Sequence, residues 1–478
     1  MNIKVDTKKT TGDIKPVHGF NNAARVTGYG SLLPDFAALR PPFIRLHDTC
    51  GEYGGKHYID IPNIFPDFSA DAEDERSYDF TLSDLYIKEL HETGAEIMFR
   101  LGVSIEHAPK KYDIYAPSDP EKWADICEHI VRHYNCGWAD GFFMNIGYWE
   151  IWNEPDGLDE HVEPFGPPMW IGSAQDYYRL YSVTSRLIKE KHPDVHVGGY
   201  SSCYILGANV NGKWTEGPTD YFTGFLKYIS SPETAAPLDF FSWHGYLGRD
   251  RLEKIGREYS FIKKTLAEYG FADIPVFDTE WNCNIATYET DDVRTMYYIN
   301  MRNEYGASHA AAVLCEMQRL GVDAAMYYDA QLWCAYGALF NVPELTPTKT
   351  YYAFKSFGAL YELKKACGVS CGSGLYAAAA TDGEKCRVLI SNIKTDGADV
   401  LLEASAEGAI GIYLTDSEND FAFRECSDGS FFLPPNSFAL AEFSVKNEKI
   451  LDTAVMQCNI AFMRRLRPKR QSEDRHGG

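Results

Sequence analysis

Eight short apolar runs alternate with amphipathic stretches between residues 16 and 329, and this alternation limits the fold more than any other feature of the chain. The runs are 16–21, 43–47, 95–101, 147–153, 195–200, 238–244, 275–280 and 324–329. They are rich in β-branched and aromatic residues and too short for helices, so they read as buried strands. Between them, 81–93, 120–134, 174–191, 251–269 and 291–304 carry apolar residues at helical spacing, as at Leu82, Leu85, Tyr86 and Leu90. Pro120 follows Ser118 and Asp119, either of which suits an N-cap, while Gly94 and Gly270 stand where helices should stop. Strands that alternate with helices run parallel through crossovers, and eight of them predict a closed (β/α)8 TIM barrel. Such a barrel carries its chemistry at the C-terminal ends of its strands.

Two of the eight strands finish alike. The fourth runs Gly147-Tyr-Trp-Glu-Ile-Trp-Asn-Glu-Pro-Asp156, with Pro155 stopping it just after Asn153 and Glu154. The seventh ends Phe277-Asp-Thr-Glu-Trp-Asn282, with Glu280 at its mouth. A carboxylic acid at the lip of a buried strand is raised in pKa by desolvation, as a general acid requires. Two of them on one rim make a candidate acid and nucleophile pair. Pro- and Gly-rich stretches at 51–78, 155–170 and 205–218 are expected to be βα-loops shaping a pocket on that rim.

The chain has 478 residues, more than a barrel of ~250 needs. Residues 1–365 are read as the barrel. The closing helix is expected at 348–363, in Thr-Lys-Thr-Tyr-Tyr-Ala-Phe-Lys-Ser-Phe. Residues 366–446 change to alternating patterns broken by Gly, Asp and Pro, at 387–391, 400–404, 411–415, 430–433 and 439–445. They predict a small antiparallel β-sandwich, with an N-terminal strand within 2–7 lent to its edge. The basic run beyond Met463 makes 447–478 a largely disordered tail.

A net charge of -22 argues against nucleic acid and anionic membrane surfaces as partners. The N-terminus has no apolar signal core, and no run approaches the ~18 apolar residues of a membrane span. Twelve cysteines without a CxxC or zinc-like spacing fit reduced thiols in the cytoplasm. Homo-oligomers are compatible with this composition.

With both carboxylate strands placed, the chain resembles glycoside hydrolase family 39, which includes β-xylosidases and α-L-iduronidases. The residues carrying the resemblance are Trp152-Asn-Glu-Pro155, Thr279-Glu-Trp-Asn282, Phe241-Ser-Trp-His-Gly-Tyr246, Arg45-Leu-His47 and Pro347-Thr-Lys-Thr-Tyr-Tyr-Ala-Phe354. The resemblance implies a retaining mechanism in which Glu154 is the acid/base and Glu280 the nucleophile. It also implies an oligosaccharide or small glycoside as substrate. Two carboxylates suffice for that chemistry, so no metal or cofactor is expected.

Secondary residues follow from strand phase. Asn153 is expected at the sugar 2-OH. His244 and Tyr246, two positions apart, point to one side, Tyr246 being suited to hold Glu280 ionised. His47 is a candidate ligand of a sugar hydroxyl. Arg45, in the same phase, is expected to back a carboxylate rather than touch sugar. Trp333 is a candidate stacking platform, and Trp281 is expected to pack. Asp48, His107 and Arg249 read as solvated loop residues, which puts neutral glycosides ahead of uronides. The expected activity is exo-acting, β-xylosidase first. An α-L-arabinofuranosidase, β-glucosidase, β-galactosidase or uronide-acting enzyme competes with it, and a non-catalytic carbohydrate-binding barrel or a metal-dependent hydrolase is a remote rival.

Overall fold

The computed structural model describes residues 1–25, 32–49, 57–104, 112–157, 169–210, 213–283, 299–332, 334 and 336–446. The barrel strands are β2 (Gly19–Asn21), β3 (Phe43–Leu46), β4 (Glu96–Leu101), β5 (Tyr148–Ile151), β6 (His196–Ser202), β9 (Phe240–Leu247), β10 (Val276–Cys283) and β11 (Ala324–Tyr327). All eight expected runs are present. They close in the order β10-β11-β2-β3-β4-β5-β6-β9 with parallel neighbours throughout. Gly19 sits where a Cβ would lie 2.9 Å from the Ala325 carbonyl oxygen and 3.0 Å from that of Phe43, so only glycine admits its neighbours this closely. Below the site, Phe43, Met98, Phe240, Phe277 and Met326 pack into one buried cluster. Each such side chain stabilises the fold by ~1.5–3 kcal/mol when fully buried.

The helix Thr81–His91 buries Ser83, Tyr86, Ile87 and Leu90, whereas Leu82 and Leu85 face solvent. Its buried stripe therefore lies one position round from the one that the leucines suggest. Asp119 caps the helix Pro120–Cys136 by accepting from the Lys122 amide at 3.0 Å. Ser173 and Asp176 form a reciprocal capping box on Ala174–Lys191. Of the helix expected at 291–304, residues 291–298 lie outside those described, and the α-helix begins only at Glu304, capped by Asn303. Two further helices lie outside the expected stretches: Asp220–Ser230, although its buried Phe222, Phe225, Leu226 and Ile229 recur at helical spacing, and Glu304–Leu320, which carries no legible amphipathic signal. The second is buried on nearly all sides, between the barrel and the C-terminal sheet, which removes any polar face from its pattern. The closing helix is Lys349–Glu362. Residues 205–218 form a hairpin, β7 (Leu206–Val210) with β8 (Lys213–Pro218), rather than an irregular loop.

The second unit comprises β12 (Lys365–Ser370), β13 (Leu375–Thr381), β14 (Lys385–Asn392), β15 (Ala398–Glu403), β16 (Ala406–Thr415), β17 (Ala422–Cys426), β18 (Ser430–Leu433) and β19 (Ser437–Val445). The N-terminal strand β1 (Asn2–Asp13) joins them. It lies inside the sheet, antiparallel to β12 and parallel to β15, and not at an edge. Ile3, Val5, Val388, Ile390, Ile412, Leu414 and Phe443 build a core separate from that of the barrel. Residues 447–478, expected as a tail, lie outside the described residues. Ten described cysteines are free. No described helix is long and apolar enough to cross a membrane.

Candidate active site

Arg45 organises the rim. It points inward from β3 and is completely buried. Its Nε donates to Glu150 Oε2 at 2.6 Å, its Nη1 to Glu280 Oε1 at 2.7 Å and to Asn21 Oδ1 at 2.9 Å. Its Nη2 reaches Asn153 Oδ1 at 2.7 Å and Ser201 Oγ at 3.1 Å. A planar guanidinium can serve five acceptors at once, which a lysine cannot. Burial opposes the charge on Arg45, but Glu150 and Glu280 outweigh it and hold the guanidinium above its ordinary pKa. Burial likewise opposes an ionised Glu150, and Arg45 with the hydroxyls of Ser201 and Ser242 brings it below the ordinary value.

Glu280 does not end its strand, since β10 continues to Cys283. Against β9 the pairing steps from Asp278–Trp243 to Glu280–His244, so Thr279 is an extra residue. This bulge matters because residues two apart on a regular strand share a face. Asp278 instead lies near Glu258 of the outer helix Glu253–Glu268, while Glu280 meets Arg45 inside the barrel. Tyr246 donates to Glu280 Oε2 at 2.8 Å. Burial nevertheless lifts the Glu280 carboxyl above its ordinary pKa, helped by Glu154 and Asp48 and opposed by His244 and Arg45.

Glu154 follows β5 in the left-handed region at φ 48°. Its Oε1 lies 2.6 Å from His244 Nδ1, which is also 3.5 Å from Glu280 Oε2. Burial lowers His244 to about 4, so the ring is neutral near pH 7. Its Nε2 and the Nδ2 of Asn153 are both buried without a hydrogen-bond partner among the described residues. One atom each from Glu154, His244 and Glu280 lie within 4.8 Å of one another. Among the described residues this is the one group with three potential metal ligands so close together, though Arg45 already presents a full positive charge to Glu280.

His47 is buried by its neighbours. Arg100 Nε donates to its Nδ1 at 3.2 Å, leaving Nε2 as the protonated nitrogen, 3.4 Å from Asp48 and 3.5 Å from Glu280. Burial, then Arg100 and Arg45, keep its pKa well below the ordinary value. Trp281 packs outward on Tyr327 and Phe354.

Two loop readings need correction. Asp48 is 8% exposed because it packs against the residues that follow β11, accepting from Tyr328 OH at 2.5 Å on its carboxylate and from Gln331 Nε2 at 3.0 Å on its carbonyl. Arg249 is neither solvated nor in the pocket. It donates at 2.7 Å to both the Ile393 carbonyl and Asn436 Oδ1, and stacks on Tyr305, joining barrel and C-terminal sheet. His107 and Trp333 lie outside the described residues.

Sequence reasoning missed Arg100, Glu150, Asn21, Ser201 and Asp156. The first two carried a usable signal, a charge inside an otherwise apolar strand, which is tolerated only when paired.

The family model for glycosyl hydrolases family 39 matches residues 1–308. A beta-xylosidase of Geobacillus stearothermophilus is 22% identical over 253 residues, 47% of this chain and 44% of that protein. Another, from Caldicellulosiruptor saccharolyticus, is 26% identical over 184 residues, 36% of this chain and 32% of its own length. The chain thus matches less than half the length of these curated relatives. A solved glucosidase from Croceicoccus marinus has a TM-score of 0.70 at 21% identity, covering 93% of this chain and 99% of that one. At that identity the structure speaks for a shared barrel and β-domain architecture alone. With the match to the family model spanning both carboxylate strands, the chain belongs to glycosyl hydrolase family 39.

Proposed function

We propose that this chain is a retaining exo-glycosidase that removes terminal sugars from short oligosaccharides by double displacement, with β-xylosides as its first substrates. One observation carries the reading: carboxylate oxygens of Glu154 and Glu280 lie within 4.8 Å of each other. Inverting enzymes need ~6.5–9.5 Å between their carboxyl groups to admit a water, and retaining ones ~5–5.5 Å. In the first step Glu280 attacks the anomeric carbon and Glu154 gives its proton to the departing oxygen. In the second, Glu154 takes a proton from water, which displaces Glu280 and releases the sugar.

The surroundings suit those roles. Arg45 and Tyr246 both donate to Glu280, which favours a carboxylate and aims its lone pairs. His244 is neutral, so no full cation beside Glu154 strips its proton. The free Nδ2 of Asn153 is a donor suited to the sugar 2-OH, and Nε2 of His244 is a second polar atom left for sugar. The xyloside preference is supported by the beta-xylosidases among the relatives.

A panel of aryl glycosides of xylose, arabinose, glucose, galactose and uronic acids decides the sugar. Glu280→Ala should abolish turnover and recover it with azide, yielding a glycosyl azide of inverted configuration. A retained azide, or full activity without azide, would remove Glu280 from the nucleophile role.

A further inference from the structure

The segment that carries Glu154 is held in an unfavourable shape. Trp152 and Glu154 both lie in the left-handed region, at φ 72° and 48°. Neither is glycine, and each such residue costs ~1–3 kcal/mol unless its surroundings enforce it. Trp152 is tied by its amide to the Leu101 carbonyl at 2.6 Å and by its indole to the Met169 carbonyl at 3.0 Å, whereas the Glu154 amide reaches the Ser201 carbonyl at a longer 3.2 Å and the Gly157 amide returns to Glu154 at 3.1 Å. The firm attachment lies two residues on. The Asp156 carboxylate accepts from Ser202 Oγ at 2.6 Å and the Tyr204 amide at 3.2 Å on one oxygen, and from the Cys203 amide at 2.9 Å on the other. Three consecutive residues at the end of β6 are thereby bolted to the turn. The middle one, Cys203, has its thiol beside the Glu154 carboxyl, whose charge helps to raise the thiol's pKa. Burial pushes Asp156 up to about 7, while the three donors act in the opposite direction and favour its carboxylate.

We propose that Asp156 is a positioning residue: by clamping Ser202, Cys203 and Tyr204 to the turn after β5, it fixes where the Glu154 carboxyl stands relative to the leaving group. The proposal rests on Glu154 being the acid/base. Asparagine cannot replace the clamp, because the two amides bond different oxygens and one of them would face an NH2 group. A displacement of ~1 Å at a proton-transfer group costs on the order of 10²-fold, and only where that transfer is needed.

The test is kcat/KM across aryl glycosides of graded leaving-group acidity, for wild type, Asp156→Asn, Ser202→Ala and Glu154→Gln. Asp156→Asn should lose ~10–100-fold on the poorest leaving groups and less than ~3-fold on a dinitrophenyl glycoside, which departs without a proton. Ser202→Ala, which removes one donor and leaves the carboxylate, should show a weaker loss of the same slope. It decides the matter if Asp156→Asn does not accumulate folded. Equal losses on all leaving groups, or none on any, would overturn the positioning role. If Glu154→Gln is itself insensitive to the leaving group, the acid/base reading falls. If Glu154→Gln is sensitive and the clamp variants are not, only the clamp falls.

Discussion

Replacing Arg45 by methionine tests the reasoning about the rim most severely, because it removes one charge and strands two. Glu150 and Glu280 are 0% and 6% exposed in their side chains, so neither gains water in exchange for the guanidinium. Breaking a buried ion pair by deleting one partner costs ~3–5 kcal/mol. The electrostatic part at Glu280 follows from the contact. With charge centres about 4 Å apart and an effective dielectric of ~20, the attraction is ~4 kcal/mol, or ~3 pH units of protonation at the limit. Tyr246 and His244 remain beside Glu280, which reduces this, so a shift of ~1–3 units is expected. The sign is fixed: without Arg45, Glu280 holds its proton to higher pH. The acid limb of the kcat/KM profile must then move upward, and the unfolding midpoint must fall. Arg45→Met combined with Glu150→Gln should recover much of the stability, since the stranded Glu150 charge is gone. It should leave the acid limb displaced, since Glu280 still lacks its cation. Profiles of wild type, single and double variants, with urea unfolding of each, read both quantities. An acid limb that stays in place in Arg45→Met would refute the reasoning, as would a double variant that restores the limb.

Two further outcomes follow from the same structure. Burial raises the folded-state pKa of Glu280, so folding takes up a proton there and stability falls as pH rises from about 4 through the folded pKa. Glu280→Gln should flatten that decline, gaining on wild type as pH increases in thermal unfolding. A difference between the two that is constant with pH would contradict it. Arg249→Ala, which loses the hydrogen bonds to Ile393 and Asn436, should cost ~2–4 kcal/mol and expose the C-terminal sheet to limited proteolysis. It should leave the ratio of xyloside to uronide turnover unchanged, and a selective loss on uronides would return Arg249 to the pocket.

The residues by themselves determined the barrel, its eight strands and the two carboxylates on them, because a strand buried on both faces must be largely apolar. Where such a strand yields to Asn-Glu-Pro or Thr-Glu-Trp-Asn, the polar residues have few purposes. Periodicity also served for helices with one wet face, but not for Glu304–Leu320, which has none, nor for β13, whose Ala377–Ala380 carries little strand preference. Tertiary structure alone decided the rest. The bulge at Thr279 turns Glu280 inward and Asp278 outward, and a one-residue insertion leaves no mark in a run of apolar and acidic residues. Arg249 became an inter-domain link, and Asp156 a clamp, because their acceptors and donors come from segments 144 and 46 positions away. Hydrogen-bond partners remote in sequence are brought together only by the closing of the barrel and the docking of the sheet, which no local pattern encodes.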